Sequence, residues 1–262
     1  MRENGSLRGR SALVTGASGG IGRAVALELA ARGAIMTMAG RPSPALSAVA
    51  EEIRAGGGNA EELHLDLGQA DSARSAIEQA SSQRGFDIAV ASAGIAGPTA
   101  TVEQVDLAEW THTLALNVTG VLATVQGVLP EMKRRRRGSI VVLGSMTGKR
   151  PLARRAAYAA SKMALVGLVR TVALEVGSSG IRVNLVSPGP VSGDRLDAVV
   201  DRHATQRGIS ASEAVGELFS GAMLPGLTTA QEVASTVAFL ASPEANSITG
   251  EDINVSRGLI YH

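Results

Sequence analysis

Thr15-Gly16-Ala17-Ser18-Gly19-Gly20-Ile21-Gly22 decides the reading of this chain. It follows a short apolar run, Ser11 to Thr15, and opens a stretch of helical apolar spacing at Ile21 to Arg32. Gly16, Gly20 and Gly22 punctuate the passage from strand to helix. Glycine lets a backbone come close to a pyrophosphate, and a helix N-terminus offers unpaired N–H groups at the positive end of its dipole. Such a loop on its own is also an ordinary tight turn. Its place between a first strand and a first helix turns it into a nucleotide-binding expectation.

Working outward, the same alternation of buried strand and amphipathic helix repeats. Strands are expected at Ser11 to Thr15, Ile35 to Ala39, Glu62 to Asp66, Asp87 to Ala91, Ser139 to Leu143, Arg182 to Ser187 and Asp252 to Val255. Helices are expected at Ile21 to Arg32, Pro44 to Ala55, Asp71 to Arg84, Asp106 to Lys133, Tyr158 to Gly177 and Thr229 to Ala241. The pattern is that of an α/β, Rossmann-type, doubly wound parallel sheet of about seven strands. At 262 residues it fits a single domain, 1–262. Residues 191–226 break the rhythm directly after a strand end and are read as a small helical substrate-side lobe.

Composition narrows the partners. A net charge of +1 gives no global field for nucleic acid or an anionic membrane. The absence of cysteine removes disulfides, thiolate chemistry and sulfur-ligated zinc, and suits a reducing cytoplasm. Met1 to Arg10 is polar with no signal-like apolar run behind it, and no stretch reaches about 18 uninterrupted apolar residues. His64, His112, His203 and His262 lack ligand spacing, so no metal is expected. Arg134 to Arg137 reads as a solvated helix C-terminus rather than a nucleic-acid patch.

The second strand ends in Gly40-Arg41. NAD binding calls for a carboxylate here to hold the ribose 2′-OH, and none is present; Arg41 offers a fork for a 2′-phosphate. NADP(H) is therefore expected over NAD(H), against the plainer reading of Arg41 as a solvated loop arginine. Asp66 is positioned either to accept from the adenine amino group or to cap a turn.

Only two tyrosines and three lysines occur in the chain, yet Tyr158 and Lys162 stand four apart, on one face of a helix. The phenol of a free tyrosine titrates far above neutral pH, and an adjacent cation favours its phenolate. A compact ammonium can do this while also bonding ribose hydroxyls. Ser145, just past the strand ending at Leu143, can bond a reacting carbonyl oxygen as charge develops. Taken alone it is as well explained as a turn former.

Together Thr15-Gly16-x-x-x-Gly20-x-Gly22, Asp66-Leu67, Ala93-Gly94, Asn117, Ser145, Tyr158-x-x-x-Lys162 and Pro188-Gly189 resemble the classical short-chain dehydrogenase/reductase family over almost the whole length. The resemblance implies an oxidoreductase interconverting a ketone and a secondary alcohol. Tyr158 would be the general acid/base, Lys162 would orient the nicotinamide ribose, Ser145 would stabilise the substrate oxygen, and Asn117 would hold a water linking Lys162 to solvent. It places along the cofactor Gly16, Ser18, Gly20, Ile21, Gly22, Arg41, Asp66, Leu67, Ala93, Gly94, Tyr158, Lys162, Pro188, Gly189 and Val191. It also implies a homotetramer or homodimer with two long helices at one interface. Two positions depart from the pattern. Ser92 stands where the family carries an asparagine that braces the sheet, and Pro190 to Asp194 lacks the threonine that contacts the nicotinamide amide, so that contact comes from Ser192, from backbone, or is not made.

On the substrate side, Met146, Leu152, Leu218, Phe219, Met223 and Leu224 suggest an apolar body, while Arg150, Arg154, Arg155 and Arg195 suit an anionic group. Two rival functions share these motifs: a redox-neutral epimerase, dehydratase or lyase, and a non-enzymatic dinucleotide sensor.

Overall fold

The structure, a computed structural model, describes residues 7–261. Met1 to Ser6, His262 and the side chains of Asp194, Arg195, Ala198, Arg202 and Gln206 lie outside the described residues. Seven strands form one parallel sheet: β1 (Ser11–Thr15), β2 (Ile35–Gly40), β3 (Ala60–His64), β4 (Ile88–Ala91), β5 (Gly138–Leu143), β6 (Ile181–Pro188) and β7 (Asp252–Val255). Their order is β3-β2-β1-β4-β5-β6-β7. The chain runs outward from β1 to β3, then crosses back to lay β4 against the other side of β1, with Thr15 opposite Ala91. That reversal opens a crevice beyond the carboxyl ends of β1 and β4, where doubly wound sheets bind ligands.

Helices cover both faces. α1 (Gly20–Ala31), α2 (Pro44–Ala55) and α3 (Ala70–Arg84) follow the first three strands, and α4 (Leu107–Leu114) and α5 (Gly120–Arg135) follow β4. A four-residue helix, α6 (Met146–Lys149), and the long α7 (Ala156–Val176) lie between β5 and β6. The lobe contains α8 (Asp194–Arg207) and α9 (Ala211–Leu218), and α10 (Ala230–Ala241) precedes β7. Two apolar layers result. Val14, Met36 and Met38 on one face of the sheet meet Val25, Leu29 and Val237. Leu13, Ala89, Val142 and Leu185 on the other meet Ile77, Val125, Leu165 and Val169. This two-sided burial is why the central strands are runs of valine, isoleucine, leucine and alanine instead of an alternation.

Three expectations change. β3 lies two residues earlier than Glu62 to Asp66, because its register is set by pairing Met36 with Ala60. Its charges are those of an edge strand: Glu61 accepts from Thr37 at 2.8 Å and pairs with Arg84. The single helix expected over Asp106 to Lys133 is α4 and α5 joined by a π turn, Ala115–Thr119. The helix α6 was not foreseen. The Leu107–Arg135 run is 29 residues long, with length and hydropathy enough to cross a membrane, but half of its most apolar window is buried, and α5 packs against α3.

At the amino ends of the strands, the Arg134 to Arg137 run is fully employed. Arg134 pairs with Glu131 and Arg136 donates to Ser178 O at 2.9 Å. Arg135 and Arg137 both reach the buried Asp87, at 2.8 and 2.9 Å. Arg137 and Asp87 line a cavity of about 320 Å³ together with Arg10 and Arg182, at the opposite end of the sheet from the crevice. Arg182 donates there to Ser242 O, one residue past the end of α10, as cations commonly do at helix C-termini.

Candidate active site

The turn after β1 divides its glycines by role. A Cβ on Gly22 would lie 2.1 Å from Gly16 O, and one on Gly16 would lie 2.7 Å from Ala93 Cα, so neither position accepts a side chain. Gly16 also has a φ of +70°. Around Gly19 and Gly20 there is nothing within 4 Å of an added Cβ. The closed side of the turn packs on the residues after β4, and the open side faces the crevice. Gly19 is the N-cap of α1, which has no side-chain cap and no acidic residue in its first turn, leaving its leading N–H groups without side-chain partners. These features fit a dinucleotide pyrophosphate.

Arg41 is exposed just past β2 and makes no ion pair or hydrogen bond among the described residues. Asp66 is not at a strand end but in the loop after β3, where its Oδ1 accepts from Gly68 N at 2.9 Å. The turn-forming role weighed in the sequence is thus present. Leu67 is buried and lies 3.1 Å from where a Cβ on Gly120 of α5 would sit. Pro188 ends β6; Gly189 donates to Val255 O and leaves no room for a Cβ beside Ser256. Val191 bridges to Thr228, and Ser192 N donates to Thr228 O, which fixes the entry to the lobe. Ser18 and Ile21 sit in the open part of the glycine turn and at the start of α1. Ser92 turns its Oγ toward Gly22, 3.2 Å from an added Cβ there.

Across the crevice, Tyr158 and Lys162 stand one turn apart on α7. The Lys162 ammonium is buried, donates to Leu143 O at 2.8 Å and lies 5.7 Å from the centre of the Tyr158 ring. Gly94 brings the residues after β4 to the same ammonium, 3.7 Å from an added Cβ. Ser145 caps α6: its Oγ accepts from Thr147 N at 3.1 Å, which orients the hydroxyl and leaves its hydrogen to donate. α6 in turn seats directly on α7, since a Cβ on Gly148 would lie 3.0 Å from the carbonyl carbon of Lys162. Asn117 is fully buried in the π turn. Its amide accepts from Ile95 N at 2.8 Å and donates to Ile95 O and to Ser161 Oγ, bracing the loop after β4 against α7. A π turn leaves a carbonyl outside the regular ladder, and such turns occur often at functional sites.

Two features went unread in the sequence. Arg155 lays its guanidinium 5.3 Å from the centre of the Tyr158 ring and donates to Thr99 Oγ1 at 2.9 Å. The apolar wall beside Ser145 is built from Met146, Leu259 and Ile260 with Phe219 and Ala222, so the chain's last residues join the lobe. Of the expected wall, Met146 and Phe219 are there, Leu218 is half-buried outside that cluster, and Leu152, Met223 and Leu224 are exposed. Arg150 and Arg154 are exposed too. Among the described residues no histidine, cysteine or carboxylate cluster could hold a metal.

A glycine turn at the switch point of a parallel sheet, faced by a serine, a tyrosine and a buried lysine, marks a dinucleotide-dependent α/β enzyme. The family described as enoyl-(acyl carrier protein) reductase matches residues 16–260. The 3-oxoacyl-(acyl-carrier-protein) reductase FabG of Staphylococcus aureus (strain Mu50) is 36% identical over 253 residues, 95% of this chain and 98% of the relative. A 7α-hydroxysteroid dehydrogenase complexed with NADH and 7-oxo glycochenodeoxycholic acid superposes with a TM-score of 0.87 at 30% identity, covering 97% of this chain and 96% of the other. A blue fluorescent protein from a metagenomic library, in complex with NADPH, gives 0.83 at 31%, covering 98% and 100%. The chain belongs to the short-chain dehydrogenase/reductase family of oxidoreductases.

Proposed function

We propose that this chain is an NADP(H)-dependent reductase of a ketone to a secondary alcohol, working in either direction, with Tyr158 as the acid/base. The observation that carries the reading is the gathering of Tyr158, buried Lys162 and capped Ser145 opposite an open glycine turn. The bound nicotinamide supplies the hydride or accepts it. Ser145 donates its free hydrogen to the carbonyl oxygen, where negative charge builds. Tyr158 delivers the proton to that oxygen, and the Lys162 charge stabilises the phenolate left behind. The Asn117 side chain is spent on Ile95 and Ser161, so a backbone carbonyl of the π turn would hold the water that links Lys162 to solvent and replaces the proton.

The preference for NADP(H) rests on Arg41, an unengaged guanidinium at the end of β2 with no carboxylate in the Gly40 position. NAD(H) remains the lesser partner. The S. aureus relative's 3-oxoacyl substrate makes a β-keto thioester the first class to try, and the apolar wall of Met146, Phe219, Leu259 and Ile260 suits an acyl body. We place the enzyme in the cytoplasm as a homotetramer or homodimer. Leu107 on α4 and Leu174 on α7, 79% and 85% exposed, are the apolar side chains a subunit contact along these helices would cover.

Titrating the protein with NADPH and NADH by nucleotide fluorescence, then repeating with Arg41→Ala, tests the cofactor assignment. NADPH is expected to bind at least tenfold more tightly, with the difference lost in the variant. Equal affinities would make Arg41 a bystander. No binding of either nucleotide would sink the oxidoreductase reading and leave a redox-neutral activity in its place.

A further inference from the structure

The helix that presents Ser145 is too short to hold itself. Four residues close barely one turn, and isolated helical turns are unfavourable in water. α6 therefore depends on what grips it. Its start is held by Met146 in the apolar cluster, its middle by Gly148 on the Lys162 backbone, and its end by Lys149.

Lys149 reaches from the last position of α6 to β7. Its ammonium lies 2.8 Å from Asp252 Oδ2 and bonds Asn254 Oδ1, two residues along the same strand face. The pair is enclosed: the Lys149 side chain is 16% exposed and that of Asp252 6%. Apart from Lys149, the Asp252 carboxylate has no polar partner among the described residues, so the Lys149 charge is its compensation. In a chain with three lysines against 22 arginines, lysine stands at this point and at Lys162. A compact ammonium on a flexible stem suits both places.

We propose that Lys149, clasped by Asp252 and Asn254, is a positioning residue that fixes α6 and so aims the Ser145 hydroxyl at the reacting oxygen. The proposal rests on the reading of Ser145 as the group that stabilises that oxygen. The ion pair ties the last strand of the sheet to the catalytic turn. Loosening it frees the far end of α6 and lets the cap at Ser145 swing out of line, a small displacement to which such catalysis is sensitive. The dinucleotide turn lies on other elements and is not touched.

The test uses Lys149→Met and, since that variant buries an uncompensated carboxylate, the neutral double variant Lys149→Met/Asp252→Asn, which keeps shape without charge. Backbone hydrogen exchange is measured on the whole protein, with NADPH affinity and NADPH-dependent reduction of acetoacetyl-coenzyme A in wild-type and Ser145→Ala backgrounds. Exchange at 147–150 is expected to speed up in both variants, with 16–22 unchanged and NADPH affinity within about twofold. With Ser145 present, kcat should fall about tenfold or more and KM move less. In the Ser145→Ala background the same change should alter kcat by less than about twofold, because the group being aimed is gone. Equal fold losses in both backgrounds, or unchanged exchange at 147–150, would overturn the proposal. A Ser145→Ala protein with wild-type kcat would instead overturn the reading of Ser145 itself. If the wild type does not turn over this thioester, the exchange result decides.

Discussion

At the residue scale, what could be read in advance was chemistry carried by scarce residue types. Tyr158 and Lys162 stood out because the chain has so few of either, and the glycine turn because of its place between strand and helix. Contacts across the chain could not be read. Gly148 looks like any turn glycine until α6 is seen pressed on the Lys162 backbone, and Arg155 looks like one arginine among 22 until it is seen over the Tyr158 ring. The glycines themselves make a sharp prediction. Gly22→Ala must push aside the Gly16 carbonyl, a backbone atom, so it should cost about 1–3 kcal/mol of stability and abolish NADPH binding. Gly19→Ala meets open space and should leave stability within about 1 kcal/mol while weakening NADPH, because the new methyl occupies the face a phosphate approaches. Denaturant melts and NADPH titrations separate the two; equal stability losses would contradict the division of roles.

At the element scale, periodicity located helices and strands, but pairing and side-chain bonds set where they begin, end and bend. β3 moved because its partner strand, not its own apolar pattern, fixes its register. The π turn between α4 and α5 left no mark in the apolar spacing, since the helix continues in the same direction on either side. Its one visible signal is Asn117, an amide buried where a helix would be apolar, with three hydrogen bonds to fill. Asn117→Ala is expected to lose about 1–3 kcal/mol, the cost of leaving Ile95 N–H and C=O without partners, and to raise exchange at Ile95 before the sheet amides.

Charged contacts tie the two helices of the lobe to each other. In α9 the Glu213 carboxyl is kept below its ordinary range by the Ser210 hydroxyl and N–H, and that of Glu217 by His203 and then Arg207, which tie α9 to α8. Carboxylates with lowered folded values contribute stability above the ordinary glutamate value of 4.5, and that contribution is lost as pH falls through it toward the folded value. The lobe should therefore loosen before the sheet as pH drops below about 4.5. Hydrogen exchange corrected for intrinsic rate should show lost protection in 194–218 while β4 to β6 stay protected; simultaneous loss would contradict it.

At the scale of the whole molecule, the alternation of βα units carried the fold, including strand number and the crevice, because every central strand is buried on both faces and must be uniformly apolar. The wall beside Ser145 was not legible, since it joins residue 146 to residues 219, 222, 259 and 260, which no local pattern connects. The apolar faces of α4 and α7 belong to this scale as well. If α4 and α7 form the proposed subunit contact, Leu174→Glu should give smaller species than the wild type by light scattering at micromolar concentration, with the monomer still folded by circular dichroism; an unchanged mass would contradict that contact.

The central claim, that Tyr158 passes the proton in a nicotinamide-dependent reduction, is tested most directly by comparing wild type and Tyr158→Phe in NADPH affinity and in NADPH oxidation driven by a β-keto thioester. The variant removes one hydroxyl from the crevice and nothing from the glycine turn. NADPH should bind it within about threefold of wild type while turnover falls by a factor of about 10² or more, the range for losing a general acid. Turnover in Tyr158→Phe within a few-fold of wild type, with the cofactor still bound, would contradict the account.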